Sequence, residues 1–384
     1  MKKILAILLC AVMVLSVAAC GGAASAPAAT AQPAAQPAAE PAAEPAPAEE
    51  AAAAVDAAVE AFDPYYFSQL KEGFSNDSPP ANAAKERYTI GVLLPMLSNA
   101  HFTAMAYGFQ SEAEALGVDV IIWDCGGYAY FDKQVSQMED LISMGVDAIV
   151  LIAADADACV ATIDKAFEAG IPVVNVNVMA NNDKVLRIRS NDTDIGEIEA
   201  ERIAQLLGGK GNVLMVRGTA GTSWAIGRGD GFINYMAKNY PDIKILAELW
   251  CANEVDAAMQ QVEDAIMAYG DEIQAVYAPG ENTIKGAVLA LKAAGMNNVF
   301  AVSCDPADDT VAMLKEGSVN ASVVQYSCGL GMWGLRAAVN ILNGDAAELY
   351  QVYYTTLNVV DTDTVDNFDF VGISKAPAGW TLEQ

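Results

Sequence analysis

The chain has 384 residues, 49 acidic against 21 basic, a formal net charge of −28 and one histidine. So acidic a surface repels nucleic acid and anionic headgroups, and neither is expected as a partner. The lone histidine, His101, excludes a metal site built on histidine pairs.

In chain order, the first signal is Met1-Lys2-Lys3 followed by an apolar run to Ala18. A basic start and a run shorter than the about 20 residues a span needs read as a secretory signal. The run ends Val17-Ala18-Ala19-Cys20-Gly21, small residues before a cysteine, as in a bacterial lipobox. Lipidation of Cys20 would anchor the mature chain to the outer face of the membrane. Residues 21–61 are nearly all Ala, Pro, Glu and Gln, too poor in bulky apolar groups for a core, and read as a disordered tether with a helical piece near 51–61. Residues 62–86 form an N-terminal extension, in which Tyr65, Tyr66 and Phe67 are suited to pack on the body and Ser78-Pro79-Pro80 reads as loop.

From residue 87 onward short β-branched runs alternate with helical patterns. Strands are expected at 89–94, 118–123, 148–152, 173–176, 213–216, 243–249, 275–277, 299–302 and 321–324. Helices are expected at 103–116, 131–144, 156–169, 195–207, 223–239, 256–269, 283–294, 307–315 and 331–342. Most of the strands lack period-two alternation, as in sheets covered on both faces. Gly117, Gly145, Gly170 and Gly295 follow helical patterns and supply left-handed caps. The alternation implies parallel sheets with right-handed crossovers. An eight-unit barrel competes with two doubly wound lobes. The polar stretch Arg187-Ile188-Arg189-Ser190-Asn191-Asp192 interrupts the pattern like a boundary and favours two lobes. Ligands of such sheets bind beyond the strand C-termini. That rule selects loops 96–102, 125–130, 175–178, 218–224, 251–254, 279–282, 303–305 and 325–326.

Cys125, Cys159, Cys251, Cys304 and Cys328 remain after the signal and the lipobox; an odd, widely spaced set is no disulfide framework, although a single pair such as Cys304–Cys328 stays open. Gly208-Gly209-Lys210-Gly211 lacks the rest of a phosphate loop, and no strand is followed by GxGxxG. No enzyme activity, metal or cofactor is expected.

At the selected loops the sequence resembles the type I periplasmic binding proteins, the ribose-binding-like receptors of importers. The carriers are Thr89-Ile90-Gly91-Val92-Leu93 with Leu97-Ser98-Asn99-Ala100-His101-Phe102, Gly145-Val146-Asp147-Ala148-Ile149-Val150, Ala169-Gly170-Ile171-Pro172-Val173-Val174, Gly218-Thr219-Ala220-Gly221-Thr222-Ser223 and Gln274-Ala275-Val276-Tyr277-Ala278. The resemblance implies an α/β fold of two doubly wound parallel-sheet lobes joined by a three-strand hinge, near residues 190–191, 325–326 and 354–355. One lobe would comprise residues 87–190 and 326–354, the other 191–325 and 355–384. It implies sugar contacts at Asn99, Phe102, Asp305 and Gln325. Asp305 can accept hydroxyl protons, Asn99 and Gln325 both donate and accept, and Phe102 offers an apolar face. Departures are Asn177-Val178 for the family's Asp-Arg, Ile226 for an arginine and Gly280, beside Glu281, for an asparagine. Loss of two arginine forks argues against a simple pentose pocket.

Locally, Trp123-Asp124-Cys125-Gly126-Gly127-Tyr128, Asp132-Lys133-Gln134 and Leu249-Trp250-Cys251-Ala252-Asn253 are similar to the trimethylamine-N-oxide-binding branch, partners of sensor kinases. That similarity puts His101, Phe102 and Tyr128 at aromatic-box positions. Asn177, Trp224 and Glu281, from the selected loops, complete the candidate ligand set. The resemblance implies a receptor delivering a sugar or similar polar solute to the permease of an ABC importer. The alternative is an accessory that presents ligand occupancy to a sensor kinase.

Overall fold

The computed structural model describes residues 66–382. The signal, Cys20 and its lipobox, the tether 21–61 and Tyr65 lie outside the described residues.

The described chain builds two sheets. The first has seven strands in the order β1-β12-β6-β5-β4-β2-β3. Its strands are β1 (Lys71–Ser75), β2 (Thr89–Leu94), β3 (Asp119–Asp124), β4 (Ala148–Leu151), β5 (Val173–Val176), β6 (Leu186–Arg189) and β12 (Tyr350–Tyr354), all paired in parallel. The second has six strands in the order β13-β11-β10-β9-β7-β8. These are β7 (Gly211–Gly218), β8 (Ile243–Trp250), β9 (Ala275–Ala278), β10 (Phe300–Cys304), β11 (Ala321–Gln325) and β13 (Leu357–Asp361). Only β11–β13 is antiparallel among the described pairs.

Central strands are buried along nearly their whole length, as β4, β5, β9 and β11 show, because helices cover both faces. The helices are α1 (Ala100–Leu116), α2 (Phe131–Met144), α3 (Val160–Glu168), α4 (Asp192–Leu207), α5 (Ser223–Asn239), α6 (Val255–Tyr269), α7 (Glu281–Ala293), α8 (Asp308–Glu316) and α9 (Ser327–Leu342). The helix expected at 156–169 begins only at Val160, after a turn in which the Asp155 carboxylate accepts the Asp157 and Ala158 N–H groups.

The chain crosses between the sheets three times: after β6, between β11 and α9, and between β12 and β13. The first and third crossings touch, with Ser190 Oγ 3.0 Å from Thr355 Oγ1 and both residues buried. Four strands escaped the sequence reading: β1, β6, β12 and β13. β1 lies in the N-terminal extension, adds to β12 at the sheet edge, and is mostly exposed. β6, β12 and β13 are short, partly exposed and flank the crossings. None of the four offers a continuous apolar run.

Within the extension, Tyr66 is buried, and its hydroxyl donates to the Val173 carbonyl at 2.5 Å. Val173 opens β5, so the extension enters at the N-terminal ends of the strands.

Helices α4 and α5 pack closely through glycines. A Cβ on Gly196 would lie 1.9 Å from the Arg228 carbonyl oxygen, and one on Gly231 would lie 2.4 Å from that of Thr193. This approach fixes the height of α5, which carries Trp224 and Arg228.

Candidate functional site

The strand C-termini of both sheets point at one cavity of about 380 Å³, its open mouth included. Asn99, His101, Phe102, Tyr128 and Asn177 reach it from the first sheet's side. Trp224, Arg228, Asn253, Gly280, Glu281 and Asp305 reach it from the second. Every loop selected from sequence contributes a lining residue except 325–326. Two lobes therefore share one site, and they meet tightly around it. Trp224 and Ala225 join the same buried apolar cluster as Phe102, and Met179 N–H donates to Ser223 Oγ across the divide at 3.3 Å.

Two lining residues adopt left-handed backbone, Asn177 at φ 60° and Asp305 at φ 58°. Among the described residues they are the only non-glycines with positive φ. Asn and Asp tolerate this region better than other L-residues, and its concentration in one cavity marks a functional location. Each sits just past a strand, β5 or β10, and turns its side chain into the cavity.

On the first lobe, Asn99 caps α1, its side-chain oxygen accepting the His101 N–H at 3.0 Å. The His101 ring is buried. Asn177 Nδ2 donates to its Nε2 at 3.0 Å, which assigns the proton to Nδ1, donating to Ser327 Oγ at 2.8 Å. Burial lowers the imidazole pKa, against a smaller opposing effect of Asp305, so the ring is neutral at pH 7. Phe102 stacks edge-on with His101 and with Tyr128, at centroid distances of 5.3 and 6.4 Å. Burial raises the Tyr128 phenol well above its ordinary value, so it stays a hydroxyl donor.

The second lobe supplies charge. Arg228, 4% exposed, donates from Nε to Asp192 Oδ1 at 3.1 Å, and from Nη1 to Asp305 Oδ2 at 3.2 Å and the Pro279 carbonyl at 2.7 Å. Arg189, beside the first crossing, holds the other Asp192 oxygen at 2.6 Å. The Arg228 guanidinium also lies 5.3 Å from the Trp224 ring centroid.

Gln325 does not line the cavity. It stands behind Asp305, its Nε2 donating to both carboxylate oxygens at 2.8 and 2.7 Å, and so orients the carboxylate. The physical reason is its place at the last position of the central strand β11, fully buried.

The absence of arginine expected from sequence is also corrected. Ile226 is 43% exposed, but Arg228, two residues on, brings a guanidinium into the cavity. Sequence reading missed Arg228 because it comes from within a helix rather than a loop. Its signal was a charge four residues after Trp224 and four before Phe232, inside a buried stripe. Asn253 and Gly280 fell in selected loops but were not chosen as ligand groups.

Glu281 opens α7, with Gly280 as its N-cap. Burial, reinforced by Asp305, pushes its carboxyl up to about 7. The Ala100 backbone N–H at the start of α1, on the other lobe, opposes this rise by favouring the charged form, while Glu281 Oε2 is buried without a partner.

Asp, Asn, Glu and Arg groups beside aromatic faces suit polyhydroxylated solutes, and the hydroxyl on His101, that of Ser327, accepts from the protonated Nδ1 rather than facing a base. Arg228 occupies the neighbourhood of the Trp224 face that a methylated cation would use in an aromatic box.

Comparison with known proteins agrees with this geometry. A family model described as periplasmic binding protein domain matches residues 90–346. The chain is 31% identical over 290 residues to the xylitol-binding protein of Mycolicibacterium smegmatis, spanning 75% of this chain and 80% of that protein. It is 30% identical over 267 residues to the ribose import binding protein of Bacillus subtilis, spanning 69% and 85%. The solved structure of an ABC transporter periplasmic solute-binding protein from Actinobacillus succinogenes with bound D-allose superposes with a TM-score of 0.69, at 26% identity, over 73% of this chain and all of that one. The chain belongs to the periplasmic binding proteins of type I, in their ribose-binding-like group.

Proposed function

We propose that this protein is an extracytoplasmic receptor that captures a monosaccharide or sugar alcohol between its lobes and delivers it to the permease of an ABC importer. One observation carries the reading: Phe102 of one lobe and Asp305 of the other face the same cavity. A guest touching both is held only when the lobes are closed, so binding shifts the open–closed equilibrium. The relatives named for xylitol and ribose support a polyhydroxylated guest.

In this reading Asn99, Asn177 and Asp305 take hydroxyls, Phe102, Tyr128 and Trp224 enclose the apolar face, and His101 and Gln325 fix their polar neighbours. The lobes comprise residues 87–190 with 326–354, and 191–325 with 355–384. The signal and the lipobox support export and anchoring through Cys20 to the outer face of the membrane.

A thermal-shift and calorimetry panel of pentoses, hexoses and sugar alcohols tests the proposal. At least one should bind with micromolar or tighter Kd and raise Tm. A panel in which none does either overturns it.

A further inference from the structure

Three carboxylates stand in or beside the cavity, and they are not alike. Asp192 is shared by Arg189 and Arg228, and Asp305 is held by Arg228 and Gln325. Glu281 makes no ion pair among those found in the described residues, for the nearby Lys285 is engaged with Asp309. The Ala100 N–H of the other lobe lies near enough to favour its charged form, and its Oε2 is buried with no donor. Beside it a second acceptor is orphaned. Asn253 Oδ1 is buried without a partner, and it lies against the residue preceding Glu281, 2.8 Å from where a Cβ on Gly280 would stand.

A buried acceptor left empty is costly, and an uncompensated carboxylate is more so. Two such acceptors on adjoining loops, one able to carry charge, call for a group with several donors, no acceptor and a positive charge. A primary ammonium has three N–H donors and no lone pair. A hydroxyl brings one donor and an acceptor that would face two oxygens. A fully methylated amine has no N–H to give.

We infer that the preferred ligand is an amino sugar or amino polyol whose ammonium sits on Glu281 and Asn253. The inference rests on the sugar-binding reading above and narrows it. The site's orphaned acceptors are then filled, and the lobe-to-lobe contact of Glu281 with Ala100 ties ammonium capture to closure.

Matched pairs test it: D-glucosamine against D-glucose, D-galactosamine against D-galactose, and D-mannosamine against D-mannose, each by calorimetry on the folded protein at pH 7. In at least one pair the amine should bind about tenfold or more tightly than its hydroxyl counterpart, the worth of a charge-assisted hydrogen bond. Glu281→Gln, nearly isosteric, should collapse that ratio toward one, and circular dichroism verifies that it folds. Neutral sugars binding as well as or better than their amines in every pair would overturn the inference and leave the sugar-binding reading standing. A preference for the amine that survives in Glu281→Gln would overturn the role of Glu281. Binding by no member of any pair would overturn the inference and leave the sugar-binding reading to the wider panel of pentoses and sugar alcohols.

Discussion

Arg228 Nη1 stands 3.2 Å from Asp305 Oδ2, and through Nε the same guanidinium holds Asp192 at 3.1 Å. One cation thus compensates two acidic groups across the floor of the cavity. Arg228→Met removes it and leaves both carboxylates buried, with only Arg189 still paired to Asp192. A loss of about 3–5 kcal/mol in folding stability is expected, as for breaking a buried pair from one side. Urea denaturation measures it, and a loss under about 1 kcal/mol would show that the network is solvated in solution.

Asp305 should be judged by two substitutions. Asp305→Asn keeps a side chain tolerant of φ 58° and removes the charge, so sugar affinity should fall about tenfold or more with the fold retained. Asp305→Ala also strains the left-handed position, adding about 1–2 kcal/mol of destabilisation. Calorimetry beside thermal melts separates the two effects. Unchanged affinity in Asp305→Asn would remove Asp305 from the ligand's partners.

The Glu281 carboxyl carries a pH dependence of definite sign. Its pKa rises from 4.5 to about 7 in the folded chain through burial and the Asp305 and Asp309 carboxylates, opposed by the Ala100 N–H and Lys285. Between those values the folded state holds a proton that the unfolded chain has released, so this contribution to stability is full at low pH and lost as pH rises through about 7. Glu199, buried with both oxygens unpartnered, acts in the same direction. His101, with its lowered pKa, acts oppositely below its ordinary 6.5. The difference in unfolding free energy between wild type and Glu281→Gln, followed from pH 5 to pH 8, isolates the Glu281 share. Wild type should lose stability relative to the variant as pH rises.

Gly196→Ala places a methyl group against the Arg228 carbonyl, where a Cβ would lie 1.9 Å away. Helices α4 and α5 must part, at a cost of about 1–3 kcal/mol. Because α5 carries Trp224 and Arg228, ligand affinity should fall along with Tm. Lower Tm with intact affinity would show that the shift is absorbed away from the cavity.

Cys125, Cys159, Cys251, Cys304 and Cys328 are all unpaired, and only Cys251 is more than slightly exposed. The pairing of Cys304 with Cys328 left open by sequence is not formed. Dithiothreitol should leave Tm unchanged, and a fall on reduction would contradict these free thiols.

What the sequence made legible follows from burial. Central strands such as β4 and β9 are covered on both faces, so each is a continuous apolar run that reads as a strand. Loops after such strands could be chosen by the strand-end rule alone, and those holding Asn177, Glu281 and Asp305 were among them, although Asp305 itself was singled out by the family resemblance. Strands β6 and β12 stayed hidden because they lie next to crossings and mix Arg, Gln and Tyr into four or five residues. Arg228 was hidden for another reason: it lies in the second turn of α5, past the strand-end loop, and its place in the cavity depends on the close α4–α5 packing, a tertiary contact. The departure at Ile226 therefore suggested a cavity without a guanidinium, whereas Arg228, two residues on and on another face of the helix, supplies it.

Tyr66 meets the first lobe at the opening residue of β5, the end of the strands remote from their ligand-facing loops. Tyr66 therefore ties the N-terminal extension to the end of the first sheet farthest from the cavity, and this anchor holds the extension without touching any group that lines the site.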